Sequence, residues 1–334
     1  MSARDQVAVQ KLWGWRVVTH LFLAGAGAGI YIAGFALLFI RIEGGSRFAF
    51  MNSMVGIILA SKLAVLTSAL LLILGLIFIF SHLGNKANAL RAFRRHVSSW
   101  LARGSIALLV FLVLDLAQIG LWVLPLSVVD VLPGWHPAVS AITSLVALFV
   151  LVYTGMLLKR FKPFAFWNTW LLPLLFTVSG ISSGIVLLVW VLTVYSIASA
   201  LIITPHLVYY NNFVLVIQAL LLGFYLWKAW ASAKNSFLIM TRGSGGVIFW
   251  LGVVVVGLLL PLLSGMYLIY SMPVKQAVMK ELILIITVCG LAGALLLRYL
   301  VLSSGSSLPL KVEDHTVSLP DTARAPVSHS VKYR

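Results

Sequence analysis

An all-α integral membrane protein of eight transmembrane helices is what this sequence predicts, and three observations carry it. Of its 334 residues, 61% are hydrophobic and only 10% charged, against about 45–50% and about 25% in a soluble domain. The apolar residues gather into runs long enough to cross a bilayer, for which about 20 residues are needed. The basic residues collect in alternate breaks between those runs, as in a polypeptide threaded back and forth with its positive loops in the cytoplasm. The net charge of +16 therefore does not point to nucleic acid, since there is no soluble basic domain to bind it.

The runs are residues 13–40, 52–81, 102–125, 138–158, 167–197, 204–227, 247–271 and 279–303. The first opens on Trp13 and Trp15, aromatic anchors of a membrane interface. It continues into alternating alanine and glycine from Ala24 to Gly29, which lets another helix approach closely. It exceeds the apolar core of a cleaved leader, about 7–15 residues, and is expected to be the first permanent helix. Polar or proline-bearing breaks run from Arg41 to Arg47, Leu83 to Arg103, Pro125 to Pro137, Lys159 to Pro163, Ser196 to Pro205, Lys228 to Gly246 and Ser271 to Lys280. Beyond Ser303 the sequence is polar, with prolines and both charge signs, a composition that fits a disordered or draped tail. Arg41, Arg47, Lys275 and Lys280 face one side and Lys62 lies inside a helix, while the rest of the 24 lysines and arginines face the other side. Both termini are therefore expected in the cytoplasm, with the protein in the inner (plasma) membrane.

Trp15, Gly25 and Gly29 recur at the same spacing as Trp170, Gly180 and Gly184. Each set opens a group of four helices, which suits two four-helix bundles, residues 1–160 and 161–303, followed by a tail, 304–334. Glycines four apart lie on one helix face, and packing alone would also account for them. Cys289 is the single cysteine, so neither an internal disulfide nor a four-cysteine iron–sulfur cluster can form within this protein alone.

Polar groups inside the apolar runs are the candidates for function. Lys62 and Asp115 lie about 10 Å and about 15 Å deep from one side, at about 1.5 Å per residue, on consecutive antiparallel helices. A buried Lys62–Asp115 ion pair is expected, with Gln118 one turn away. It serves either as a structural pair neutralising two costly charges or as an element of a proton path. Near the other side, His20 in helix 1 and Tyr153 in helix 4 fall at one level. His82 ends helix 2, and Trp15, Arg16, Trp100 and Arg103 form the rim. Imidazole and phenol can hydrogen-bond two carbonyl oxygens and pass a proton, which is what a quinone head requires. Plainer roles exist for each: His20 as a packing residue, Tyr153 in an interfacial belt, His82 as a helix end. Haem fits poorly, because it wants two axial ligands on facing helices. His82 is at the very edge, His136 and His206 lie in or near opposite loops, and the other histidines are in polar segments.

Short motifs then line up along nearly the whole sequence. They are Trp13-Gly14-Trp15 with Leu21-Phe22-Leu23-Ala24-Gly25; Ser81-His82-Leu83-Gly84 with Arg91-Ala92-Phe93 and Ser98 to Gly104; Tyr153-Thr154-Gly155; Trp167-Asn168-Thr169 with Leu172 to Phe176; Phe249-Trp250 with Gly257 to Pro261; and Gly290 to Gly293 with Leu297-Arg298-Tyr299. In these the protein resembles the NrfD/polysulfide reductase membrane-subunit family, which includes membrane anchors of molybdenum enzymes. The resemblance implies two four-helix bundles, a quinone or quinol site in the first, and an iron–sulfur subunit docked on the same face. It implies that His20 and Tyr153 line the quinone. The family pattern has an asparagine three residues before the histidine; Val17 stands there, so that hydrogen bond is absent. His82-Leu83-Gly84-Asn85-Lys86 stands where many members have Asp-Leu-Gly-Arg-Pro.

The expected function is thus the membrane subunit of a respiratory oxidoreductase complex, not catalytic alone on a soluble substrate. The expected quinone-binding residues are His20, Tyr153, Trp15, Arg16, His82 and Arg103, and the expected proton path is Lys62, Asp115 and Gln118. The bound substrate would be menaquinone or ubiquinone, with no haem, metal or iron–sulfur cluster in this subunit. The partners would be a four-cluster ferredoxin-like iron–sulfur subunit, a molybdenum-enzyme catalytic subunit and membrane lipid. Several family complexes hold their catalytic subunits outside the cytoplasm; here the quinone-site ends share the basic face, and a cytoplasmic partner is expected. Two other classes compete: a secondary transporter, with Gly180 to Gly184 as its candidate helix break, and a passive anchor without a quinone.

Overall fold

A computed structural model of the protein describes residues 13–39, 47–82, 100–123, 135–195, 200–271 and 276–306. Its helices are α1 (Trp15–Ala36, extended by a 3-10 turn, Leu37–Phe39), α2 (Arg47–His82), α3 (Trp100–Val123), α4 (Trp135–Lys159), α5 (Leu171–Val194) and α6 (Ala200–Ser232). Two short helices follow, α7 (Lys234–Thr241) and α8 (Gly243–Val247). A π-helical stretch, Ile248–Leu259, then runs straight into α9 (Leu260–Tyr270), and α10 (Gln276–Ser303) closes the series. Among the described residues eight spans are long and apolar enough to cross a membrane, each overlapping one of the apolar runs. The molecule is a multi-pass membrane protein.

Within the first four spans α1 packs along α2 and α4, α2 on α3, and α3 on α4. In the last four, α5 packs along α6 and α10, α6 on α9, and the π-helical stretch with α9 on α10. The two sets meet chiefly through α1 and α5. The apolar span of α1 is 78% buried against 28% for α3, so the first helix is the centre of the molecule. Leu70, Ile77, Leu109, Leu145, Phe213 and Leu220 point outward, as they must where the surrounding solvent is hydrocarbon.

Glycine decides the centre. The backbone of Gly29 lies directly on that of Gly180 and Gly184, and Gly25 O is 3.1 Å from the place a Cβ on Gly180 would occupy. The glycines that recur along the sequence therefore face each other, and α1 and α5 run parallel. Against α2, α1 runs antiparallel: Gly34 meets Ser61 and Ala64, Gly27 meets Ser68 and Leu72, and His20 meets Gly75. Ser61 Oγ adds a hydrogen bond across this contact, donating to Gly34 O at 3.0 Å.

Several expectations need correction. Helix 5 begins at Leu171, not at residue 167, because Trp167 is consumed by tertiary packing. Its buried ring stacks on Trp13 at 5.8 Å and Phe164 at 4.4 Å, and its Nε1–H donates to Val301 O at 2.8 Å, pinning the end of α10. Replacing Trp167 with Phe should cost about 1 kcal/mol for the lost hydrogen bond, beyond the change in packing, visible as a lower melting temperature of the purified protein. The break from Lys228 to Gly246 holds the end of α6 and the helices α7 and α8, turned at Gly243 with φ +60°. Arg298, counted with the basic face, is fully buried inside the bundle. The start of the polar tail is docked as well: Ser306 N–H donates to Ser236 Oγ at 3.2 Å.

Candidate functional site

Val17, Val18, Leu21, Ala24 and Ala28 are buried along α1, so His20, between them on the side covered by α2, is enclosed too, with 3% exposure. Its Nδ1 lies 2.9 Å from Gly75 O. A carbonyl oxygen only accepts, so Nδ1 must carry the hydrogen. In the neutral ring Nε2 is then a bare acceptor, and the α2 backbone fixes which nitrogen is available for chemistry.

Tyr153 is buried on α4, its ring lying over Gly104 of α3, where any Cβ would overlap it. His20 and Tyr153 do not hydrogen-bond to each other; one faces α2 and the other α3. They lie toward the same end of their helices, where α1 starts and α4 finishes: the rings of Trp13 and Phe161 are 4.7 Å apart. The rim at that end holds more of the expected set. Arg16 Nη1 donates to Ser81 O at 2.9 Å, tying α1 to the end of α2, and Trp15, largely exposed, meets Phe78 edge-on at 5.6 Å. The Arg103 guanidinium lies 5.3 Å from the Trp100 ring. The surroundings of the His82 side chain fall outside the described residues.

Toward the opposite end of the same four helices a polar network forms around Gln118. Gln118 Nε2 donates to Tyr31 Oη at 2.9 Å and to Thr143 Oγ1 at 3.0 Å, and Ser140 Oγ donates to Gln118 Oε1 at 3.3 Å. One turn away Asp115, fully buried, accepts from Ser68 Oγ at 2.8 Å. The expected Lys62–Asp115 pair is not formed. Lys62 Nζ instead lies 5.5 Å from the centre of the Trp122 ring, an arrangement in which the long stem carries the ammonium toward the membrane surface and an aromatic face receives it.

Arg298 was not singled out in the sequence as a site. Its Nη1 donates to Ser179 Oγ at 3.1 Å and to Ala294 O at 3.0 Å, and its Nη2 to Phe176 O at 3.3 Å. The guanidinium lies 5.1 Å from the Phe176 ring and 5.8 Å from that of Phe22, and Gly25 leaves it room. A lone arginine inside the apolar run 279–303 was the available signal. Among the described residues no group of three or more His, Cys, Asp or Glu side chains could hold a metal ion.

Eight membrane-spanning helices among the described residues, with a buried histidine on the first and a basic and aromatic rim near one end, define a helical multi-pass membrane protein. A profile of the family described as Polysulphide reductase, NrfD, matches residues 5–309; the protein belongs to the NrfD family and is a membrane subunit of a redox complex. It is 27% identical over 319 residues to protein NrfD of Escherichia coli, covering 88% of this sequence and 95% of that one. It is 26% identical over 316 residues to the C chain of polysulfide reductase from Wolinella succinogenes, covering 89% and 95%. A shorter match, 25% identical over 171 residues, joins it to an NrfD homolog of Haemophilus influenzae, covering 50% of this sequence and 52% of that protein.

Proposed function

We propose that the protein exchanges electrons and protons between a membrane quinol and an iron–sulfur partner subunit of a respiratory complex. The observation that carries this is His20: a buried imidazole whose Nδ1–H is committed to Gly75 O, leaving Nε2 to take a proton. A quinol loses two protons and two electrons on oxidation. In this reading a quinol hydroxyl donates to Nε2, and His20 receives its proton as electrons leave for the partner; quinone reduction runs the same steps in reverse. The Tyr153 hydroxyl bonds the second ring oxygen, whose proton leaves to water at the adjacent membrane face. Arg16 and Arg103 bias the rim toward negative charge on the head group, Trp15 lines the lipid entry, and His82 completes the end of α2. Asp115 and Gln118, with Lys62 at the mouth, form the proton route on the far side.

The partners in this reading are a four-cluster ferredoxin-like subunit and a molybdenum-enzyme subunit. A relative whose name makes it one lettered component of a reductase supports a complex of several polypeptides. The membrane is the inner one, with both termini on the basic, cytoplasmic face. The test is binding of a quinone analogue to the full-length protein in lipid nanodiscs, followed by tryptophan fluorescence. Saturable binding is expected. Its absence would leave a passive anchor, and solute accumulation by liposomes holding this protein alone would make it a transporter.

A further inference from the structure

α6 carries a stripe that the quinone reading does not use. Thr204, Asn211, Gln218 and Tyr225 follow at seven-residue steps, about two helical turns each, and all four are buried. The stripe therefore faces the interior of the last four spans. Its inner end is satisfied, since Tyr225 Oη donates to Phe166 O at 3.0 Å. The rest is not. Asn211 Oδ1 accepts from Ser182 of α5 at 2.9 Å, but Asn211 Nδ2 has no hydrogen-bond partner. Thr204 Oγ1 has none, nor has Asn212 Oδ1, which lies against Gly265 of α9. Ser182 is one turn from Ser179, which accepts from Arg298, and Arg298 Nε is also without a partner. Of the five buried side-chain atoms left unpaired among the described residues, three lie on α6 and one on α10, and only Asp115 Oδ1 lies in the first four spans.

Buried polar atoms in native proteins are almost always paired, with ordered water where protein cannot reach. The unmet atoms here are mixed: Asn211 Nδ2 and Arg298 Nε donate, Asn212 Oδ1 accepts, and the Thr204 hydroxyl does both. An anion would satisfy only the donors and a cation only the acceptors. Water supplies both and needs two to four such neighbours. The buried guanidinium also has no carboxylate beside it among the described residues, and hydration would supply what a counter-ion otherwise would.

We propose that the seam between α5, α6 and α9 binds a line of internal water molecules. It runs from Thr204 to Asn211 and Asn212 and is continued by the hydroxyls of Ser182 and Ser179 to Arg298. The test uses the full-length protein in lipid nanodiscs: a structure at a resolution that shows water, and hydroxyl-radical labelling, which marks buried side chains only where water touches them. The structure should show ordered water about 3 Å from Asn211 Nδ2 and Asn212 Oδ1. Labelling should reach the buried Leu207 and Val208. It should fall several-fold in the double variant Asn211→Leu, Asn212→Leu, persist in Asn211→Asp, and be untouched by His20→Ala. Thr204→Val, a milder change, should lower labelling of Leu207 alone. A dry, unlabelled seam in the unsubstituted protein, or equal labelling in the double variant, overturns the proposal.

Discussion

Replacing His20 with alanine is expected to leave a protein that folds and assembles but loses quinone-linked turnover by about 10²- to 10⁴-fold, the usual consequence of removing a positioned proton-transfer group. The fold should survive because Gly75 O loses only an added donor; it sits within α2, where the helix supplies a backbone N–H. His20→Gln is the informative companion. Its amide can still donate to Gly75 O and offer an oxygen outward, so binding of a quinone analogue should be largely kept, but it cannot accept a proton and turnover should stay low. Turnover by the assembled complex and analogue affinity, measured side by side, separate the two contributions. Normal turnover in the alanine variant would remove His20 from the mechanism.

The second large effect is structural. Gly184→Val should prevent the protein from accumulating in folded form. A Cβ at residue 184 meets the backbone of Gly29 and Ile30, not a side chain that could swing aside. Overpacking ordinarily costs about 1–3 kcal/mol, and here relief requires α1 and α5, the central pair, to move apart. Gly120→Ala is the matched control: nothing lies within 4 Å of the position its Cβ would take, and alanine is the better helix former by about 0.5–1 kcal/mol. Thermal stability and folded yield in detergent should drop sharply for the first variant and hold or rise for the second. A Gly184→Val protein with ordinary yield and melting behaviour would mean that the α1–α5 contact does not hold the molecule together.

The spans were legible because the bilayer imposes one strong rule, about 20 apolar residues per crossing, and the sequence obeys it eight times. The side-chain partners were less so. Depth along a helix follows from counting residues, but direction around it does not. Lys62 and Ser68 are six residues apart, about 240° around α2 at 3.6 residues per turn, so when Ser68 faces Asp115, Lys62 faces away. Counting charge by loop placed Arg298 in water because it stands five residues before the end of its helix, yet packing from α1 and α5 closes over it. Trp167 sits in an apolar run indistinguishable from helix, and only its bond to Val301, far along the sequence, shows why the helix starts later. The partner of His20 is a backbone carbonyl, which no residue type announces.

The glycine contact between α1 and α5 also bears on ancestry. Two parallel central helices, each leading four spans, are what a tandem duplication would leave, since an even number of crossings returns the second copy to the orientation of the first. Counting from the facing glycines, Leu175 stands on α5 where His20 stands on α1, and it is wholly enclosed. The molecule thus contains its own comparison: one central helix carries an imidazole at that place, and the other has hydrocarbon there.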